Sequence, residues 1–145
     1  MEKPQQTIFN ITSISREECV KSIAELTNGF QLDSESVGRL IQMIYQQRGI
    51  IKGTLNEPWS SEVREAVVGQ KGYFFKLTVN NCGIILIWHD KIEHEYVFFG
   101  SDKSRVVRAM HVIRNRIKKC SLRHQAIIDA YHPPFIDHEY DLYDF

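Results

Sequence analysis

Residues 100–124 read GSDKSRVVRAMHVIRNRIKKCSLRH, and within them Val106, Met110, Ile113 and Ile117 recur at steps of three and four. At about 100° per residue these four side chains fall in one narrow helical stripe, so the segment must lie as a helix against another apolar surface. Ser101 is the expected cap. Arg105, Arg108, Arg116 and Lys119 flank the stripe on one side, and Lys103, Arg114 and Lys118 on the other. With Arg123 they make eight of the chain's 18 basic residues, against one acid, Asp102. In a chain of formal net charge zero, such a concentration points to an anionic partner. The alternative is a solvated helix whose long basic stems cover its apolar edges. Few acids are placed to pair within the helix, and Lys103 at its start gains nothing from the helix dipole but would sit well beside a bound phosphate.

The surface under that helix is expected to be a sheet. Residues 73–79 are rich in aromatic and β-branched side chains and predict a strand with Phe74, Lys76 and Thr78 on one side. Asn80, Asn81, Cys82 and Gly83 have turn chemistry. The apolar run 84–88 predicts a central strand buried on both faces, 89–93 a polar turn and 95–99 a third strand, together an antiparallel meander. A short strand is expected within 6–14.

Ser15 followed by Glu18 forms a capping box that opens a helix to about Thr27, with Val20, Ile23, Ala24 and Leu26 inward and a stop at Asn28 and Gly29. Asp33 or Ser34 caps a second helix carrying Val37, Leu40, Ile41 and Ile44 and ending at Gly49. Gly53, Asn56 and Pro58 mark 50–72 as mainly loop, with a short helix 62–68 capped by Ser60 or Ser61 and closed by Gly69. A last helix over about 122–131 stops before Pro133 and Pro134. The expected class is α+β: a three- to four-stranded antiparallel sheet with helices packed on one face. Residues 1–135 form one domain and 136–145 an acidic, aromatic tail.

At 145 residues, 43% apolar and 25% charged, the chain is long enough to bury a core. It has no apolar run long enough to span a membrane and no signal-peptide core, which predicts a cytoplasmic or nuclear protein rather than a secreted one. Cys19, Cys82 and Cys120 match neither a disulfide framework nor a zinc pattern, so reduced thiols and no metal are expected. The scattered glycines form no phosphate loop, and no cofactor is implied.

The order helix 34–48, three antiparallel strands, helix 101–119 resembles the double-stranded-RNA-binding domain. In that family a Gly-x-Ser-Lys-Lys-like stretch opens the last helix, and its lysines touch phosphates. The matching stretch here is Gly100, Ser101, Asp102, Lys103, Ser104 and Arg105, with Arg108 one turn on. Tyr45, Gln46, Gln47, Arg48 and Gly49 resemble the end of that family's first helix. Asp102 stands where the family has a lysine, and the 89–93 turn carries no Gly-Pro-x-His.

The basic helix and this resemblance together point to nucleic-acid binding, RNA first: the resemblance implies phosphate contacts at Lys103, Arg105 and Arg108, and the basic flanks add Arg114, Arg116 and Lys119. Trp59, in the loop, is the aromatic available to stack on a base, whereas Trp88 reads as core. A second reading is a protein-interaction or inhibitor domain whose basic helix meets an acidic protein surface. A third is a small metal-dependent hydrolase using His89, Asp90 and His94, although a polar turn with exposed histidines explains the same residues. Cys82 reads as a plain turn cysteine or an exposed nucleophile. Asp137, Glu139, Asp141 and Asp144 sit among Phe135, Ile136, Tyr140, Leu142 and Tyr143; this tail is a disordered end, a docking segment, or a strip that folds back on the basic helix.

Overall fold

The computed structural model describes residues 8–26, 34–56 and 60–131. Its four strands are β1 (Ile8–Ile14), β2 (Ile50–Asn56), β3 (Leu86–Asp90) and β4 (Glu95–Gly100). They form one antiparallel sheet in the order β1-β2-β4-β3. The helices are α1 (Arg16–Leu26), α2 (Ser34–Tyr45), α3 (Ser61–Val68), α4 (Tyr73–Cys82) and α5 (Lys103–Tyr131). This is the α+β class with the four-stranded antiparallel sheet that the sequence leads one to expect.

Helices cover both faces of the sheet rather than a single one. Successive strand residues point to opposite faces. On β4, Tyr96 and Phe98 join Leu55 and Ile87 in a core completed by α3, α4 and α5. Val97 and Phe99 join Ile50, Ile85 and Trp88 in a second core closed by Cys19 and Ile23 of α1 and Ile44 of α2. The strand buried on both faces is therefore β4, while the 84–88 run leads into β3 at the sheet edge. Trp88 is core, edge-on to Phe99 with ring centroids 4.8 Å apart.

The Ser15 hydroxyl accepts from the Glu18 amide at 3.0 Å and starts α1 as expected. Among its described side chains Cys19 and Ile23 are buried, Val20 is half-buried against the same core and Ala24 faces outward, while the Leu26 side chain lies outside what is described. Helix α2 ends at Tyr45, before Gly49, and Arg16 donates to the carbonyls of Tyr45 and Gln47 at that end. The short helix of the expected loop is α3, with Ser60 as its N-cap and Gly69 as its C-cap. The stops placed at Thr27, Asn28 and Gly29, and the residues Asp33, Pro58 and Trp59, lie outside the described residues, as does the tail beyond Tyr131.

Further expectations are corrected. Residues 50–56 are strand β2, not loop. Gly53 is there because α5 crosses closely above it: a Cβ would stand 2.6 Å from the Met110 sulfur and 3.0 Å from a Val106 methyl.

Residues 73–82 are helix α4, not a strand of a meander. The helical spacing of Phe75, Thr78 and Cys82 faces the core. The Thr78 hydroxyl donates to the Phe74 carbonyl at 2.8 Å, which satisfies that polar group inside the helix. Gly83, at φ 70°, ends α4 with its amide on the Val79 carbonyl. Tertiary burial overrides the β-propensity of the segment. Between α2 and α5 the order is thus β2, α3, α4, β3, β4, with β3 and β4 the only hairpin among these strands.

Finally, the separate helix expected over 122–131 is the continuation of α5, a helix of 29 residues with no Gly or Pro to break it. Asp102, rather than Ser101, opens it: one carboxylate oxygen accepts from the Ser104 amide at 2.8 Å and the Ser104 hydroxyl at 2.7 Å.

A basic groove between two helices as candidate interface

Val106, Met110, Ile113 and Ile117 are all buried under α5, so the apolar stripe lies where the periodicity puts it. Its two basic flanks meet different neighbours. On one side, the Arg114 guanidinium carbon stands 5.7 Å from the centre of the Phe9 ring on β1, and His111 tilts against the same ring at 5.2 Å. The Arg114 Nε is buried without a hydrogen-bond partner. Lys103 and Lys118 are exposed on this flank.

The other flank faces α4. Between the two helices runs an open groove of about 390 Å³, lined by Phe74, Leu77, Thr78, Asn81 and Cys82 from α4 and Arg108, Val112, Asn115, Arg116 and Lys119 from α5. Arg108 and Lys119 are exposed and make no salt bridge among the described residues. Arg105 lies over the end of α4, where a Cβ on Gly83 would be 3.1 Å from its guanidinium nitrogen. Neither α4 nor residues 103–128 of α5 contain an Asp or Glu. The acids that flank this stretch are Asp102, whose carboxylate is engaged in the helix cap and whose pKa the Ser104 hydroxyl and amide hold below the usual range, and Asp129, which accepts from the Gln125 side-chain amide at 2.9 Å. Lys76 projects from the far side of α4, about 200° round the helix from Phe74, and does not line the groove.

Arg116 is built differently from its neighbours. Its Nε donates to the Val67 carbonyl at 2.9 Å and its Nη2 to the Ala66 carbonyl at 2.6 Å, while its guanidinium lies 3.2 Å from the centre of the Phe74 ring. It thereby satisfies carbonyls at the end of α3 and ties α3, α4 and α5 together. Burial lowers its pKa somewhat from the ordinary arginine value. Of the six basic residues picked from the sequence, the groove gathers Arg108, Arg116 and Lys119, with Arg105 at its end. Lys103 and Arg114 stand on the opposite flank. Trp59 lies outside the described residues.

The sequence conceals the α4 wall because residues 73–79 carry strand-favouring side chains. The signal that could have found it is the helical spacing of Phe75, Thr78 and Cys82 between Gly72 and Gly83. Cys82 is accordingly a buried residue at the end of a helix, not an exposed turn cysteine. Burial raises the pKa of all three thiols, Cys19 to about 12, and keeps them protonated rather than nucleophilic.

The His89, Asp90 and His94 grouping does not converge. His89 and Asp90 are successive residues of β3 and point to opposite faces. The His89 ring packs on Tyr96 at 4.7 Å, and burial, then Arg64, push its pKa down to about 4. The Asp90 carboxylate accepts from the Ile92 and Glu93 amides and shapes the turn. His94 sits exposed at φ 55°. Among the described residues no three His, Cys, Asp or Glu side chains cluster as a metal site, and no helix is long and apolar enough to cross a membrane.

No family model, no curated protein and no solved structure matches this chain.

Proposed function

We propose that this protein binds RNA through the groove between α4 and α5, with Arg108 and Lys119 on phosphates and Arg105 extending the track toward the start of α5. The observation that carries the reading is a groove with cations on its rim and no acid in α4 or in residues 103–128 of α5. Surface arginines and lysines that served only solubility would ordinarily be interspersed with acids. Arg suits phosphate because its planar fork donates two parallel hydrogen bonds. Asn81 and Asn115 put amide donors and acceptors into the same groove, which suits a ribose 2′-hydroxyl.

The second reading, an acidic protein surface as partner, is favoured by Leu77 and Val112, which are 40% and 41% exposed on opposite walls. A titration of labelled single-stranded and duplex RNA at several salt concentrations separates the two. RNA binding through three groove cations gives a log–log salt slope of about −2 to −3. An affinity indifferent to salt, or no RNA binding beside a stoichiometric acidic protein partner, decides against RNA.

A further inference from the structure

We propose that residues 135–145 of this same chain, FIDHEYDLYDF, dock in the α4–α5 groove and compete there with its anionic ligand. The docking contact is independent of what that ligand is; the competition rests on the RNA reading above.

The groove asks for an occupant that is both acidic and apolar. Its rim carries Arg108 and Lys119, and its walls expose Leu77 and Val112. The segment 135–145 has this composition: Asp137, Glu139, Asp141 and Asp144 alternate with Ile136, Tyr140, Leu142 and Tyr143. Among the described residues, nothing on α4 or within 103–128 supplies a countercharge. Four acids in one short segment would meet the cations of a chain whose formal charge sums to zero.

The reach fits as well. Helix α5 ends at Tyr131, and Pro133 and Pro134 cannot continue it as an ordinary helix interior. Lys119 lies about 18 Å back along the axis from Tyr131, and Arg108 about 34 Å, at 1.5 Å per residue. The fourteen residues after Tyr131 span up to about 46 Å when extended. A chain reversing at the prolines can therefore pass Lys119 near its middle and approach Arg108 near its end. Leu122, 72% exposed and three residues beyond Lys119, offers an apolar foothold on that path.

The test uses the full chain with Tyr140→p-benzoylphenylalanine, irradiated at low concentration as a mixture of isotopically light and heavy protein, with the cross-linked peptides read by mass spectrometry. Docking predicts cross-links within one chain to residues 74–82 or 108–119, lost in the Arg108→Glu/Lys119→Glu background. Cross-links elsewhere, between chains, or unaffected by those substitutions overturn it.

The competition is read with Asp137→Asn/Glu139→Gln/Asp141→Asn/Asp144→Asn. This variant should bind RNA at least about fivefold tighter at low salt, with the difference shrinking as salt screens the charges. Equal affinity despite the wild-type cross-link overturns competition. A specific cross-link in a chain that binds no RNA in either form supports docking and discards the RNA reading. RNA binding without the cross-link keeps the RNA reading and discards docking.

Discussion

Arg116 lays its guanidinium on the ring of Phe74, 3.2 Å from the ring centre, and spends two of its N–H groups on the Val67 and Ala66 carbonyls. One side chain thus holds three helices in register and sets one end of the groove. A desolvated cation–π contact contributes about 2 kcal/mol, and a charged hydrogen bond about 1.5–3. These terms overlap at one residue, so Arg116→Ala should cost about 2–4 kcal/mol in denaturant unfolding. Arg116→Lys keeps the charge but not the planar fork, and should recover less than half of that loss. A loss within 0.5 kcal/mol, the range of an ordinary surface substitution, would contradict this role.

The approach of α5 to the sheet makes a second prediction at Gly53 and Gly100. A Cβ on Gly100 would meet a Val106 methyl at 2.6 Å and Ile84 at 3.2 Å, both branched and stiff. A Cβ on Gly53 meets mainly the sulfur of Met110, the far end of a flexible side chain. Gly100→Ala should therefore destabilise by about 1–3 kcal/mol through overpacking, and Gly53→Ala by clearly less. Urea midpoints of the two variants at equal slope test the order.

Much of α5 was legible in the sequence because an apolar stripe with period near 3.6 on an otherwise charged segment admits one solution. The starts of α1 and α3 were legible for a similar reason, since Ser15 and Ser60 accept from amides three residues on. Residues 73–82 were not. Their side chains favour a strand locally, and only the packing of Phe75, Thr78 and Cys82 against α5 and β3 selects the helix. Strand β2 was hidden by Gly53, whose role is to let α5 come close rather than to turn the chain. The groove is therefore half legible: its α5 wall reads as a basic helix in the sequence, while its α4 wall carries strand-favouring side chains.

His89 gives a pH dependence with a definite sign. Its pKa falls from the ordinary 6.5 to about 4 in the folded protein, chiefly because burial penalises the charged ring and then because of Arg64. Between these values the unfolded chain binds more protons than the folded one. The contribution is therefore intact above about pH 6.5, declines as the pH falls toward 4, and is constant below that. The slope cannot exceed about 1.4 kcal/mol per pH unit for one group, and is smaller for a ring still partly in water. Unfolding free energies measured from pH 4 to 7 should lose this component in His89→Phe. An unchanged profile in that variant would assign the dependence to other groups.

The most direct measurement compares the two flanks of α5. Arg108→Glu/Lys119→Glu reverses the rim of the groove, while Lys103→Glu/Lys118→Glu reverses two exposed cations on the opposite flank and changes net charge by the same amount. RNA affinity of the folded variants, measured by anisotropy at fixed low salt, should fall at least about a hundredfold for the groove pair, since each lost phosphate contact becomes a repulsion. It should fall no more than about fivefold for the control pair, through the overall field alone. Equal losses from both pairs, or full affinity after reversal of Arg108 and Lys119, would contradict binding through the α4–α5 groove.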